Sequence, residues 1–420
     1  MIQDDLSPED TMDKMDVGFR YASRWLPAPP DVDRSLRLLQ DLSESKNANG
    51  QLGFTTGDFG TVGAGRLVLY GGGNLGRLAQ QYLSTIKVGV LAVIDREAAR
   101  LRDDPAWAAT PLLTPDEVPT DLKRNALLAI STVNCAFAPL YAELRASGWQ
   151  SVFPFYDFTE AFRDQHPLSN GWFALPFTPE SCARTGDVLA GWADDISRAH
   201  HLQFLAWRLL REEWAFEGAP ITLHDRFFIP DIATALGTEE VFIDAGAHHG
   251  YVTKAFSERL ANRFSSIVAI EPDADNRATF REMCRTLDPA VAARITLLPD
   301  ALDSTEHDRP FHDELGYASQ LADSGSRIVT TRTIDGLGLS PTMIKLHLEG
   351  GELNALKGAL ATIRTHRPII VLTTYHNDDG IFRTPAFLMR NLARYRFLMR
   401  LHSWCGTGAV IYAIPLERLR

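Results

Sequence analysis

Short apolar runs alternate with amphipathic stretches along most of this 420-residue chain. RLVLY (66–70), VGVLAVID (88–95), NALLAIST (125–132) and QSVFPFYD (150–157) read as four buried strands, with helices over 77–86 and 134–147. A second alternation starts at EVFIDAGAHHG (240–250). It continues through SSIVAIEPD (265–273), ITLLPDALD (295–303), MIKLHLEG (343–350), RPIIVLTTYH (367–376) and AVIYAIP (409–415). Continuous apolar runs mark strands covered on both faces, and strand–helix alternation predicts parallel sheets. The pattern therefore predicts an α/β fold with two tandem Rossmann-like units. A helix is expected over 31–45, a loop over the Gly-, Asn- and Thr-rich 46–65, and helical structure over 179–215. Within that last stretch, ADDISRAHHLQFLAWRLLREEW (193–214) reads as one connecting helix with His200 and His201 on its surface. The expected divisions are an N-terminal extension (1–63), a first α/β domain (64–165), a helical linker and lead-in (166–239) and a second α/β domain (240–420).

Composition narrows the picture a little. The chain is 45% hydrophobic, and its net charge of −11 argues against a nucleic-acid backbone as partner. Four scattered cysteines, Cys135, Cys182, Cys284 and Cys405, show no CxxC pair, so a reducing compartment is expected. The acidic start MIQDDLSPEDTMDKMD is no signal peptide, and no window approaches the ~18 apolar residues of a membrane span. The expectation is a soluble, cytoplasmic protein; whether it forms a homo-oligomer is left open.

Two glycine turns stand at strand–helix junctions. YGGGNLGR fits G-x-G-x-x-G at Gly71, Gly73 and Gly76, and Asp95 ends the next strand. That spacing suits a nucleotide, with backbone N–H groups toward an anion and Asp95 toward a ribose. An inherited turn that binds nothing is the alternative. FIDAGAHHG sets Asp244 before Gly246, Ala247, His248 and Gly250; Glu271 and Pro272 end the following strand. Here an acid stands where a phosphate would be repelled but an ammonium would be accepted, and Glu271 can take both hydroxyls of a ribose. Asp300 and Ala301 follow strand three, where an adenine edge would lie. S-adenosylmethionine has such an ammonium and NAD does not.

IKLHLEGGELNALKGAL (344–360) ends a strand with Lys345, His347 and Glu349 at alternate positions, one face of a strand. Strand ends are where α/β sheets bind ligands. His347, oriented by Glu349 or Glu352, is the first candidate for a general base, and His376 at the end of strand five is the second. Lys345 could simply bridge to a carboxylate such as Glu349, and Glu352 could simply favour the positive end of its helix. A metal held by His347, Glu349 and His376 would need ligands from separate strands, so none is expected. Tyr317 and Ser319 in 314–325 suggest a substrate loop, and Asp378 and Asp379 a polar turn.

FIDAGAHHG, AIEPD, IKLHLEGGELNALKGA and TTYHNDDGIFRTP, in that order, resemble the FkbM-type methyltransferase family from about residue 180 onward. The YGGGNLGR domain is similar to a Rossmann-like module that some members carry. The resemblance implies a class I methyltransferase fold, with a seven-stranded, mostly parallel sheet covered on both faces. It implies S-adenosyl-L-methionine as cofactor and methyl transfer to a hydroxyl of a sugar, glycoconjugate or secondary-metabolite acceptor. The family pattern Lys-x-Asp-x-Glu-Gly-x-Glu reads Lys345-x-His347-x-Glu349-Gly350-x-Glu352 here, so His347 replaces an aspartate. It is either an adapted base or the mark of a lost activity. The alternatives are an NAD-dependent oxidoreductase centred on Gly71, Gly73, Gly76 and Asp95, and a non-catalytic nucleotide or nucleotide-sugar binder.

Overall fold

The computed structural model describes residues 21–27, 30–49, 59, 65–163, 166, 168, 170–313, 318–323 and 325–419. Its strands form four sheets. The N-terminal strand among the described residues is β1 (Ala22–Leu26). The first α/β unit contributes β2 (Leu67–Tyr70), β3 (Val90–Ile94), β4 (Leu112–Leu113), β5 (Leu127–Ile130) and β6 (Ser151–Pro154). They make a parallel five-stranded sheet in the order β4-β3-β2-β5-β6. Every residue of β2 and β5 is buried, as their unbroken apolar sequences require.

After β7 (Glu212–Phe216), the second unit places β8 (Val241–Ala245), β9 (Ser266–Ile270) and β10 (Ile295–Leu298). Next come β11 (Ala301–Leu302), β12 (Asp308–His312), β13 (Gln320–Leu321) and β14 (Arg327–Arg332), which form a small sheet of their own. The chain then returns with β15 (Met343–Leu346), β16 (Ile369–Thr373), β17 (Tyr395–Leu401) and β18 (Ala409–Pro415). The large sheet runs β10-β9-β8-β15-β16-β18-β17, with β18 antiparallel to both neighbours and the others parallel. This is the Rossmann-like class I methyltransferase arrangement that the resemblance implies. Among the described residues, no helix is long and apolar enough to cross a membrane.

The structure corrects several expected boundaries. The stretch 343–350 is not all strand: β15 stops at Leu346, and Glu349 takes a left-handed backbone at φ +49. Lys345, His347 and Glu349 therefore do not share one strand face. The run 295–303 breaks at Pro299 into β10 and β11, which belong to different sheets. The run 150–157 becomes helix at Phe155. The 193–214 segment is the helix Asp195–Leu210 followed by β7, with Arg211 left-handed between them. β7 pairs in parallel with β1. Two glutamates begin β7, and each has a partner that supports its burial. Glu212 receives Arg24 Nε at 2.6 Å and Trp214 Nε1 at 3.0 Å. Glu213 accepts the Phe137 and Ala138 N–H groups, both at 2.7 Å, capping the helix Phe137–Ala146 of the first unit. Burial pushes the Glu213 carboxyl up to about 7 against the pull of those two donors. Most of the expected 46–65 loop lies outside the described residues; its first residues end the helix Val32–Ala48.

His200 and His201 are not on a surface. Both are buried, because the helix Asp195–Leu210 is enclosed on all sides from Ala199 onward. His200 accepts from Leu401 N and meets Ala219 O at 3.2 Å; His201 accepts from Trp192 Nε1 and meets Ile381 O at 2.8 Å. The same helix carries Arg208 and, at its cap, Arg211, and these hold the two units together. Arg208 donates to the carbonyls of Asn170, Trp172, Tyr375 and Gly406. Arg211 pairs with Asp157 at 2.8 Å, and both side chains are 1% exposed. Asp157 also accepts from Tyr21 OH at 2.7 Å.

Two stability predictions follow from these buried groups. Asp157→Ala leaves the Arg211 charge enclosed without its partner and is expected to cost about 3–5 kcal/mol in urea unfolding; a loss under about 1 kcal/mol contradicts the buried pairing. Burial also pulls His200 down to about 3 and His201 to about 4. Both lie below the unfolded value of about 6.5, so their stabilising contribution is complete above that pH and is lost as pH falls toward 4 and 3. Between pH 7 and pH 5 the two together are expected to cost about 4 kcal/mol; equal urea stability at both pH values contradicts this.

Candidate functional site

Both large sheets change direction at their first strand, and both turns are built alike. In the first unit Gly71 N donates to Ile94 O, and Ser131 N donates to Tyr70 O. In the second, Gly246 N donates to Ile270 O, and His347 N donates to Ala245 O. The acid ending the second strand then braces each turn. Asp95 accepts Gly72 N at 2.7 Å, and Glu271 accepts His248 N at 2.8 Å. Gly71 (φ +110) and Gly246 (φ +70) need glycine twice over. Their backbone is left-handed, and a Cβ would press on Ser131 O in one and His347 O in the other. Gly76 is bare because the Gly71 carbonyl packs where its Cβ would stand, whereas Gly73 faces open space.

The carboxyl ends of the two sheets line a single cavity of about 680 Å³. Gly71, Gly73 and Asp95 are on its wall, and so are Gly246, Ala247, His248, Glu271, Pro272, Asp300 and Ala301. Lys345, His347 and Glu349 reach it as well. Gly76, Asp244, Gly250, Glu352 and His376 do not. Gly250 instead lets the helix Tyr251–Arg259 pack against Phe280 and Met283. Ser319 lies at the cavity with its hydroxyl 3.2 Å from Asp273, while Tyr317 lies outside the described residues.

Asp244 was expected to face the cofactor, but its carboxylate is fully buried behind the turn. Oδ1 accepts from Lys345 Nζ at 2.9 Å and Oδ2 from Thr253 Oγ1 at 2.7 Å. Lys345 donates again to Ala245 O and Gly246 O. This pair spans β8 and β15, which are in register at these two residues, and fixes the point where the sheet reverses. Lys345 thus bridges to Asp244, not to Glu349. Glu352 is likewise turned inward: it accepts Leu348 N, Gly350 N and Thr373 Oγ1, and so holds the loop that carries Glu349.

That loop brings together three groups from separate segments. Glu349 Oε1 lies 3.1 Å from His347 Nε2, and Oε2 lies 3.1 Å from His376 Nδ1. Burial opposes the Glu349 charge, but the two imidazoles, His376 foremost, hold its carboxyl well below the usual range. The His347 side chain is 21% exposed. Enclosure pulls it down to about 3 against the Glu349 hydrogen bond, so the imidazole is neutral at pH 7. With Nε2–H donated to Glu349, Nδ1 is the nitrogen left to accept a proton. The nitrogen, oxygen and nitrogen donors of the three lie within 4.8 Å of one another, a set that could also receive a divalent cation.

Two further residues stand beside His347. Tyr375 OH is 3.4 Å from His347 Nε2 and accepts from the Arg226 guanidinium, which also stacks on Phe227. Burial pushes the Tyr375 hydroxyl up to about 12. Neither residue is singled out by its sequence: Arg226 lies well before the FIDAGAHHG turn, and Tyr375 reads as one more apolar strand residue.

Lys345→Met is expected to destabilise the fold by about 3–5 kcal/mol, since Asp244 is then buried without its cation. The double change Lys345→Met with Asp244→Leu should recover much of that loss in urea unfolding. A Lys345→Met protein of unchanged stability contradicts the structural role.

Residues 244–399 match the family model described as Methyltransferase FkbM domain. In structure the chain is similar to Methyltransferase FkbM from Methylobacillus flagellatus KT, with 18% identity and a TM-score of 0.60, over 92% of this chain and 100% of that one. At that identity the likeness is one of fold. A likeness to Precorrin-6y C5,15-methyltransferase from Geobacter metallireducens GS-15 has 16% identity and a TM-score of 0.27, over 43% of this chain and 82% of that one. No curated protein matches the chain. Residues 244–399 are thus similar to the FkbM methyltransferase domain, and the fold of the chain agrees with that likeness.

Proposed function

We propose that this chain is an S-adenosylmethionine-dependent methyltransferase that methylates a hydroxyl of a sugar, glycoconjugate or secondary-metabolite acceptor. The observation that carries the reading is one cavity whose wall holds both the Gly246 turn with Glu271 and the Glu349-bound His347.

The residues present fit the cofactor. The turn at Gly246 is bare of side chain, and each Glu271 oxygen keeps lone-pair capacity beyond its bond to the His248 or Asp273 N–H. Glu271 would hold the ribose, Gly246 to His248 the methionine end, and Asp300 and Ala301 the adenine. Asp244 supports the turn from behind and would not touch the ammonium. S-adenosylmethionine, when bound, supplies an electrophilic methyl carbon whose bonding pair leaves with sulfur as the acceptor oxygen takes the carbon.

The chain's own share is orientation and proton removal. The acceptor oxygen turns strongly acidic as its bond to the methyl forms, so the enclosed His347, weak base though it is, takes the proton at Nδ1, and Glu349 fixes the tautomer by receiving Nε2–H. His376 holds the other Glu349 oxygen, so the carboxylate cannot swing away. The imidazolium formed at His347 sits against that carboxylate, as in a hydrolase triad. His347 is on this reading an adapted base in the place of the family aspartate.

Calorimetry with S-adenosylhomocysteine tests the cofactor half: binding is expected, and about tenfold weaker binding in Glu271→Gln. No binding to the wild type sinks the reading. His347→Ala should keep S-adenosylhomocysteine affinity yet lower methyl transfer to a glycoside panel by about 10²–10⁴; unchanged transfer removes His347 from the chemistry.

A further inference from the structure

The cavity has a second wall, and the cofactor reading leaves it unused. That wall is the carboxyl edge of the five-stranded sheet: Gly73 and Asn74 from the glycine turn, Thr132 and Asn134 after β5, and Tyr156 and Asn170 from the segment beyond β6. Its chemistry differs from that of a nucleotide site. Among the described residues of this unit, no lysine or arginine lines the cavity. Among its described residues, the one charged side chain that the unit contributes is the Asp95 carboxylate, which already takes the Gly72 N–H beside the turn. On this wall a diphosphate would meet an acid and no cation, since Arg226 and Lys345 reach the cavity from the other unit, which disfavours it here. Hydroxyl and amide groups dominate instead.

Asn170 is an independent pointer to a ligand. It is 4% exposed, donates Nδ2 to Tyr156 OH at 3.3 Å, and lines the cavity. Its Oδ1 is buried with no donor among the described residues. A buried acceptor left unmet costs about 1–3 kcal/mol, so such a group is commonly completed by what the cavity binds. The missing partner is a hydrogen-bond donor, which a sugar hydroxyl is and a phosphate oxygen is not. Asn170 is also held in place: Arg208, which donates to the Asn170 carbonyl, donates as well to the carbonyl of Tyr375 beside His347.

We infer that the first α/β unit is the acceptor subsite, and that it binds an uncharged polyhydroxyl face, such as a glycoside ring, across the cavity from the cofactor turn. The inference rests on the methyltransferase reading for which hydroxyl reacts, but the subsite itself is read from its own wall. The turn fitting G-x-G-x-x-G is then a sugar-facing surface and not a dinucleotide site.

Gly73 supplies a clean test. It has φ −74, and a Cβ there meets nothing within 4 Å, so Gly73→Val fills cavity space without disturbing the packing. Asn170→Leu removes the unmet acceptor. Wild type and both variants, saturated with S-adenosylhomocysteine, are titrated with methyl glucoside, mannoside, galactoside and rhamnoside, and separately with UDP and NAD, and read by saturation-transfer NMR. At least one glycoside should bind the wild type and bind each variant about tenfold or more weakly, with S-adenosylhomocysteine affinity by calorimetry unchanged. Three outcomes overturn the inference. They are glycoside binding indifferent to both substitutions, no glycoside binding at all, and UDP or NAD binding that Gly73→Val abolishes. Loss of S-adenosylhomocysteine binding in the wild type would instead sink the cofactor reading, and the glycoside titrations of the unloaded protein would still judge the subsite.

Discussion

The site depends on two arginines that lie one helical turn apart and see no water. Arg208 and Arg211 are 0% and 1% exposed. Arg208 gathers carbonyls from the segment after β6, from the end of β16 and from the loop before β18. Arg211 adds Asp157 and the Gly171 carbonyl, with the Phe173 ring over its guanidinium. Burying a charge is expensive unless donors and acceptors match it closely. The planar, many-donor fork of arginine suits that task. Arg208 ties the segment after β6 to the second unit, and Arg211 ties that segment to Asp157 of the first, so the walls of the cavity cannot drift apart without leaving buried groups unsatisfied. Tyr375 makes the link to chemistry: its carbonyl is tied to Arg208 and its ring touches His347.

Pattern alone predicts most of what is apolar and continuous. The strands of the two central sheets read as such because both faces are covered, leaving VLAVI, LLAI or IIVLT without polar interruption. What was not legible depended on distant partners. ASRWL (β1) carries no apolar face, and EEWAF (β7) begins with two acids; each becomes a strand only beside the other, with Arg24, Lys46 and a helix N-terminus to receive the charge. β17 passes unnoticed because Arg396 and Arg400 interrupt it, and their partners Asp231 and Asp194 lie on other segments. The enclosure of His200 and His201 is hidden for the same reason, since nothing local says that a helix will be surrounded.

The site shows the same division. The glycines and the acids at strand ends were legible, because turn geometry and strand-end position are local properties. Their tasks were not. Asp244 and Lys345 look like ligand groups in a one-dimensional reading, but register sets them against each other across β8 and β15, and the pair becomes internal structure. Glu349 looked like the third member of a strand face. It reaches His347 instead by leaving the strand through a left-handed residue that Glu352 braces from beneath. Asn170 lies in no motif, and Arg226 and Tyr375, though Tyr375 falls within TTYHNDDGIFRTP, carry no spacing that marks a role; the cavity brings the three together.

The pairing of β1 with β7 has a consequence for synthesis. Ala22 leaves the ribosome long before its partner Glu212. The intervening five-stranded sheet can close first, since all its strands are contiguous in sequence. The N-terminal strand must wait, unpaired and with Trp25 exposed, until the helix carrying the two arginines has emerged. Contacts of such long sequence separation are slow to form. The same late event that seats β1 also brings Tyr21 to Asp157, the carboxylate that Arg211 holds, so a nascent chain gains β1 and completes its inter-unit clasp in one step.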